Sequence, residues 1–207
     1  MDHQCDAAIA GASSVSLPLQ SGYWHMPGGI LSPDGHCKPF TPAANGTVPG
    51  NGVGAVVMRR LEDAMRDGDH VYAILRGFAV NNDGADKIGY TAPGVGGQTA
   101  VITEALAHSG LEPKNIGYVE THGTGTALGD AIEVAALGRA LAGAGDAGPV
   151  TLGAVKANIG HLDAAAGMAG LIKVALMFDR GVVPPSLYVP PEGIVLEEGR
   201  FRLVASA

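Results

Sequence analysis

The feature that most restricts the fold of this chain is a unit of sequence that occurs twice. Each copy contains an apolar stretch typical of a β-strand, a loop of small residues with one histidine, and an apolar segment with helical spacing. The first copy predicts a strand over 116–120, a loop over 122–129 and a helix that ends at Ala142. The second copy predicts a strand over 150–155, a loop over 156–161 and a helix that ends at Phe178. Strands that alternate with helices predict an α/β protein with a mixed or parallel sheet.

The sequence before these units is predicted to contain strands, a helical turn, a long loop, a tight turn and one amphipathic helix. In chain order these elements cover 5–12 (strand), 22–52 (loop), 53–58 (strand), 61–66 (helical turn), 70–78 (strand), 81–84 (turn) and 98–109 (helix). Gly68 and Gly110 directly follow the two helical segments, as glycine commonly does at helix ends. No low-complexity linker divides the chain.

The loop of the first unit, residues 122–126 (HGTGT), is a candidate for ligand binding. Its two glycines weaken both helix and strand, so it is predicted to be a shaped loop. Thr124 and Thr126 place hydroxyls after a strand, where α/β proteins commonly bind ligands. Asp130 and Glu133 follow with the spacing of a helix-capping arrangement, and a structural role is favoured for both carboxylates.

The second unit repeats this logic with His161 before a helix of small residues. A histidine near the positive end of a helix dipole tends to stay neutral and can donate an N–H group. Two such donors, His122 and His161, could stabilise a developing enolate at one oxygen. Each alone is more often a loop residue, but the paired setting favours a functional role. Lys156 ends an apolar strand, which favours a buried, hydrogen-bonded lysine over a surface one.

Charge and hydropathy argue against several classes of partner. The formal net charge of −7 is unfavourable for non-specific binding to nucleic acid or an anionic membrane. The longest apolar run, 164–178, contains Lys173 and is too short to span a bilayer. No signal-like stretch appears near the start, so the expected location is the cytoplasm.

Other site classes lack their sequence signatures. Cys5 and Cys37 have no CxxC spacing, and no third ligand accompanies the histidines, so neither a redox motif nor a metal site is predicted. The glycines over 46–54 match neither a P-loop nor a dinucleotide fingerprint. The remaining histidines are interpreted as surface or loop residues: His3, His25, His36, His70 and His108.

Long motifs give the chain a resemblance to a known family. HGTGT (122–126), GDAIEVAAL (129–137) and VKANIGHLDAAAGMAGLIK (155–173) are similar to motifs of the β-ketoacyl synthases of the thiolase superfamily. The stretches 5–14, 30–40, 45–64, 76–84 and 90–98 extend the likeness over essentially the whole chain. The set resembles ketosynthase domains of type I modular polyketide synthases, which are acyltransferases.

This resemblance implies roles for five residues. His122 and His161 correspond to the paired histidines that bind the thioester carbonyl and assist decarboxylation of a malonyl unit, and Lys156 to the lysine that organises them. Thr124 and Thr126 correspond to threonines that bind the phosphopantetheine arm of an acyl carrier protein. No bound cofactor is implied, and the family forms homodimers.

The resemblance also implies an incomplete thiolase-like αβαβα architecture. Residues 1–68 correspond to the end of the N-terminal half and 69–207 to the C-terminal half. The family's nucleophilic cysteine motif lies upstream of the segment matched by 5–12, and its glycine-rich loop with a gatekeeping phenylalanine follows the segment matched by 201–207. Neither Cys5 nor Cys37 matches the position of the nucleophile, so the chain alone is expected not to catalyse condensation.

Several interpretations follow for such a chain. It is a fragment of a full ketosynthase, one part of a split enzyme, or a degenerate remnant, and the retained motifs favour the fragment. The parent would catalyse decarboxylative Claisen condensation of an acyl thioester with carrier-bound malonyl. The rival hypothesis is a scaffold or dimerisation partner without turnover, and a weaker one is decarboxylation alone.

Overall fold

The computed structural model describes residues 5–19, 22–84, 93–143 and 148–206. Strands β1 (Ala7–Ser14) and β2 (Gly52–Arg59) form an antiparallel pair, in which Ala7 lies opposite Arg59. Exposure alternates along β1 because successive side chains of a strand point to opposite faces. The intervening segment, as far as it is described, is a long loop without helix or regular strand, as predicted.

A second, four-stranded sheet has the strand order β3–β4–β6–β5. Its strands are β3 (Tyr118–Glu120), β4 (Val150–Gly153), β5 (Ile194–Leu196) and β6 (Phe201–Leu203). Strands β3, β4 and β6 are parallel, and β5 is antiparallel to β6. All four residues of β4 are buried, as expected for an inner parallel strand. The prediction of an α/β protein with a mixed sheet is therefore confirmed.

The helices confirm both copies of the repeated unit. In chain order they are α1 (Leu61–Asp67), α2 (Val95–Ser109), α3 (Ala127–Ala140), α4 (Lys156–Ile159) and α5 (Ala166–Arg180). Gly68 and Gly110 follow α1 and α2 with φ angles of 75° and 69°, a left-handed conformation that glycine adopts without strain.

Two local predictions were wrong. Residues 70–78 form no strand, because a strand needs a hydrogen-bonded neighbour and none of the strands in the described ranges pairs with this segment. Leu75 and Phe78 consequently remain exposed. The predicted loop over 156–161 contains the short helix α4, which ends at Gly160 with a φ of 76°.

The main core lies between the four-stranded sheet and α3. Phe201 and Leu152 are fully buried and pack with Leu137, Leu141 and Phe40. Burying side chains of this size contributes about 1.5–3 kcal/mol each. The core thus fixes the sheet edge from which the histidine loops emerge. In the described part of the chain, no helix is long and apolar enough to cross a bilayer.

Candidate active site

The two histidine loops leave the same edge of the sheet. Strands β3 and β4 are parallel neighbours, so their carboxyl ends lie side by side. His122 comes two positions after β3, and Lys156 begins α4 just beyond β4. Ligand sites in open α/β sheets commonly form at this edge. The fold therefore brings the conspicuous loops of both units together.

His122 and His161 lie next to each other. Their ring centroids are 5.5 Å apart, and the rings meet edge to face at 84°. The loop before β2 also holds His161 through the backbone. The N–H of His161 donates to the carbonyl of Val48 at 2.7 Å, and the carbonyl of His161 accepts from the N–H of Gly50 at 3.0 Å. Residues from three distant parts of the chain thus set the distance between the rings.

The contacts of the two rings assign the same tautomer to both. The Nδ1 atom of His161 accepts a hydrogen bond from the backbone N–H of Asp163 at 3.0 Å. The Nδ1 atom of His122 lies 3.5 Å from the Nζ atom of Lys156, a group that donates hydrogen bonds and does not accept them while charged. In each neutral ring the proton is therefore on Nε2. Both histidines can act as Nε2–H donors.

Both imidazoles are held in the neutral form. Desolvation by the surrounding protein, followed by the charges of Lys156 and His161, lowers the pKa of His122 to about 4, although the residue as a whole is exposed. Desolvation, followed by the charge of Lys156, also lowers the pKa of His161. Sequence reasoning credited neutrality to the helix dipole, whereas the described structure attributes it to burial and a neighbouring lysine.

Lys156 is the buried cation behind His122. Only 4% of the residue is exposed, and its Nζ atom donates to the carbonyl oxygen of His122 at 2.5 Å. Desolvation lowers the pKa of its ammonium group, while the negative charge of Glu133 is the largest influence that raises it. The prediction of a buried, hydrogen-bonded lysine at this position agrees with these contacts.

Two carboxylates hold the HGTGT loop through its backbone. Glu133 accepts hydrogen bonds from the N–H groups of His122 at 2.6 Å and Gly123 at 2.8 Å. Asp130 accepts from the N–H groups of Gly125 at 3.1 Å and Phe40 at 2.7 Å. Both acids are in α3 and reach back over its amino end, where the N-cap residue makes no side-chain cap. These contacts agree with the structural role favoured for both acids.

Thr124 and Thr126 face a cavity of about 620 Å³ together with both histidines. Their hydroxyl oxygens are 3.1 Å apart, so one donates to the other. Residues 81–83 and Gln98, which sequence analysis interpreted only as a turn and a helix, also line this cavity. Their polar side chains were the available signal, but their position beside the histidines depends on contacts distant in sequence.

A larger groove of about 730 Å³ lies between β2 and α5 and is mainly apolar. It is lined by residues such as Leu162, Ile172 and Leu176, and neither histidine borders it. The polar chemistry of the described structure is concentrated in the smaller cavity.

Neither cysteine borders the histidine cavity among its described lining residues. Cys5 is exposed before β1. Cys37 is buried, with its Sγ atom 3.4 Å from the carbonyl oxygen of Thr124. Burial raises the pKa of the Cys37 thiol, which is the opposite of what an attacking thiolate requires.

The other histidines that the structure describes do not line the cavity. His36 contacts Tyr188, His70 pairs with Asp179, and the ring of His108 contacts the carbonyl of Phe78. His25 contacts the carbonyl of Leu31, and His3 lies outside the described residues. Within the described ranges, no group of three or more His, Cys, Asp or Glu side chains is arranged to hold a metal ion.

Comparisons with known proteins agree along most of the chain. Two family models match it: "Beta-ketoacyl synthase, N-terminal domain" over residues 1–64 and "Beta-ketoacyl synthase, C-terminal domain" over residues 72–189. A phenolphthiocerol/phthiocerol polyketide synthase of Mycobacterium tuberculosis is 48% identical over 89% of this chain. Polyketide synthase PksN of Bacillus subtilis is 42% identical over 95% of it.

A solved ketosynthase has the same fold. Ketosynthase twelve of the bacillaene polyketide synthase from Bacillus amyloliquefaciens superposes with a TM-score of 0.90 and 41% identity over 97% of this chain. The match covers 36% of that solved chain. The chain also spans 13% of the mycobacterial synthase and 4% of the Bacillus subtilis synthase.

Proposed function

Because this chain belongs to the β-ketoacyl synthase family, with the thiolase-like fold, and forms part of a polyketide ketosynthase domain, we propose that His122 and His161 act together in decarboxylative condensation. The observation that carries the proposal is that both rings line one cavity while their Nδ1 atoms contact donor groups, which leaves Nε2–H as the free donor of each ring. Ring centroids 5.5 Å apart place the two imidazoles close enough to contact one shared oxygen.

The oxygen in question is the thioester carbonyl of a malonyl unit. When the bond to the terminal carboxylate breaks, CO2 leaves and its electron pair passes to the thioester as an enolate. Two neutral N–H donors stabilise the negative oxygen, and removing one such donor typically costs about 10²–10³-fold in rate. The enolate carbon then attacks the carbonyl of an acyl thioester and expels its thiolate. The resemblance places that thiolate on a cysteine other than Cys5 and Cys37, neither of which is among the described lining residues of the cavity.

Lys156 supports this arrangement from behind. Its contacts with the carbonyl and Nδ1 of His122 favour the tautomer with the proton on Nε2. An ammonium group so close also opposes protonation of His122 and lowers its pKa. In this proposal Lys156 orients the histidine rather than contacting the substrate.

The proposed substrate is carried on the phosphopantetheine arm of an acyl carrier protein. Thr124 and Thr126 offer hydroxyls on the cavity wall, where amide groups of such an arm could bind. Homodimerisation, a location in the cytoplasm and the division of the chain into N-terminal and C-terminal ketosynthase portions near residue 68 belong to the same proposal.

The test is release of CO2 from malonyl-carrier protein by a complete ketosynthase domain that contains these residues. We expect His122→Ala and His161→Ala each to lower the rate by about 10²-fold or more. His70→Ala is the matched control, because His70 pairs with Asp179 away from the cavity, and it should match the unchanged domain. Absence of CO2 release from the unchanged domain and from His122→Ala alike would favour the rival hypothesis of a scaffold without turnover, and equal measurable rates would contradict the role of His122.

A further inference from the structure

We propose that Glu120 is a positioning residue for the histidine site, acting as an acceptor that joins β3, the start of α4 and α5. The inference rests on the proposed function, because it concerns the residues that would act on the thioester. Glu120 ends β3, two positions before His122, and its side chain is 8% exposed. It does not border the cavity that the histidines share.

One oxygen of this carboxylate holds the segment that leads to Lys156. Glu120 Oε1 accepts a hydrogen bond from the backbone N–H of Val155 at 2.6 Å. Val155 is the N-cap residue of α4, so the bond fixes the start of the helix whose first residue is Lys156. The Nζ atom of Lys156 in turn reaches the carbonyl of His122. Glu120 therefore connects the end of β3, which leads to His122, with the start of α4, which carries Lys156.

The other oxygen holds the helix that follows His161. Glu120 Oε2 accepts from the Nζ atom of Lys173, which lies on α5, at 2.7 Å. It also accepts from the hydroxyl of Tyr118 at 2.6 Å. The strand before His122, the helix that begins with Lys156 and the helix that follows His161 are thus bonded to one side chain.

The surroundings of Glu120 leave room for this arrangement. Gly153 is paired with Glu120 in the β3–β4 ladder, and a side chain there would collide with the hydroxyl of Tyr118. Gly170 faces it from α5, where an added Cβ would lie 3.2 Å from the Cγ atom of Glu120. Two glycines on different elements therefore border one buried carboxylate.

An ion pair between Glu120 and Lys173 that only stabilises the fold would make the same contacts. The test must therefore separate the role of Glu120 as a hydrogen-bond acceptor from its role as a negative charge. Two double variants do this: Glu120→Gln with Lys173→Met, and Glu120→Leu with Lys173→Met. Both remove the ion pair and leave no unpaired buried charge, and replacement of a buried pair by apolar groups is often tolerated. They differ in whether a side-chain oxygen remains at position 120 to accept from the N–H of Val155 and the hydroxyl of Tyr118.

The first measurement is decarboxylation of malonyl-carrier protein by a complete ketosynthase domain containing these residues. We expect the Gln double variant to keep kcat within about threefold of the unchanged domain, because an acceptor remains for Val155. The Leu double variant should lose about 10²-fold in kcat with little change in KM, the effect of a misplacement near 1 Å. Equal kcat values in the two double variants, whether both nearly unchanged or both lowered, would overturn the proposal.

The second measurement does not need turnover. The imidazole NMR signals of His122 are followed through a pH titration in both double variants, with thermal unfolding to verify that each is folded. We expect the pKa of His122 to move toward its ordinary value in the Leu double variant and to stay near that of the unchanged domain in the Gln double variant. A domain that releases no CO2 would contradict the proposed function, whereas identical His122 titrations would contradict the role of Glu120. If the Leu double variant does not fold, Glu120→Ala with Lys173→Met takes its place in both comparisons.

Discussion

Asp130 in helix α3 accepts a hydrogen bond from the backbone N–H of Phe40, a residue 90 positions earlier in the chain, at 2.7 Å. Phe40 has a φ of 59°, an uncommon left-handed conformation for a non-glycine residue. Its side chain belongs to the main core. The same carboxylate binds Gly125, so it joins the long loop, the core and the histidine loop.

The first prediction concerns pH and Asp130. Burial raises the pKa of this carboxyl group from 3.8 to about 6, so the folded state keeps the proton where the unfolded chain loses it. The contribution of Asp130 to the free energy of unfolding should therefore fall by at most about 3 kcal/mol as pH rises from about 4 to 6, opposite in sign to the contribution of His122 in this range. Asp130→Asn should remove this contribution, which is measured as the difference between its urea-unfolding pH profile and that of the unchanged protein. Asp6→Asn, at an exposed position, should keep it, and an unchanged slope in Asp130→Asn would contradict the assignment.

The second prediction concerns the charge behind His122. Lys156→Met removes a cation that opposes protonation, so the pKa of His122 should rise from about 4 but remain below 6.5, because burial is its largest cause. Imidazole NMR titration measures this shift. Lys114→Met, at an exposed lysine paired with Glu112, should leave the titration unchanged. A His122 pKa that does not move in Lys156→Met would mean that the contact does not control its protonation.

The same shift has a consequence for stability. Since the folded pKa of His122 is lowered, the unfolded chain binds the extra proton first, and stability is lost as pH falls from about 6.5 toward 4. In Lys156→Met the folded pKa of His122 is higher, so the pH range over which stability is lost should end at a higher pH than about 4. Urea unfolding at several pH values would detect the change.

The third prediction compares two glycines. Gly123 has a φ of 44°, and an added Cβ would lie 2.7 Å from the Cβ of Ala154. Gly110 has a φ of 69° but no atom within 4 Å of an added Cβ. Gly110→Ala should therefore lower the free energy of unfolding by about 1 kcal/mol, from backbone strain alone. Gly123→Ala should cost about 3 kcal/mol, because crowding adds to that strain. Equal losses in urea unfolding would show that the loop yields to the methyl group.

The fourth prediction concerns the thiols. Cys5 is exposed, whereas Cys37 is 3% exposed and burial raises the pKa of its thiol. Alkylation by iodoacetamide in native buffer, followed by peptide mass spectrometry, should modify Cys5 readily and Cys37 only after urea is added. Modification of Cys37 at the rate of Cys5 would mean that the loop over it opens freely.

Features encoded over short stretches were predictable from sequence. Both strand, loop and helix units could be recognised because apolar spacing and small-residue loops are local signals. Placement of His122 near His161 followed from the parallel strands that such units form. The motifs of the loops also gave the family, which the comparisons support.

Features that depend on distant partners were not predictable. Glu120 resembles any charged strand end until Val155 and Lys173, 35 and 53 positions later, are brought to it. The apolar segment 70–78 has strand composition, but pairing requires a neighbour that composition cannot supply. Likewise, the contribution of residues 81–83 to the cavity depends on where α2 and α3 pack.

The pairing of Glu120 with Gly153 makes the geometry of the site a matter of register. A slip of β3 by one residue would carry His122 about 3.3 Å along the sheet and turn the carboxylate to the opposite face. The alignment of β3 with β4 therefore sets the distance between the two imidazoles. Mutations far from the cavity could change the reaction by altering that alignment.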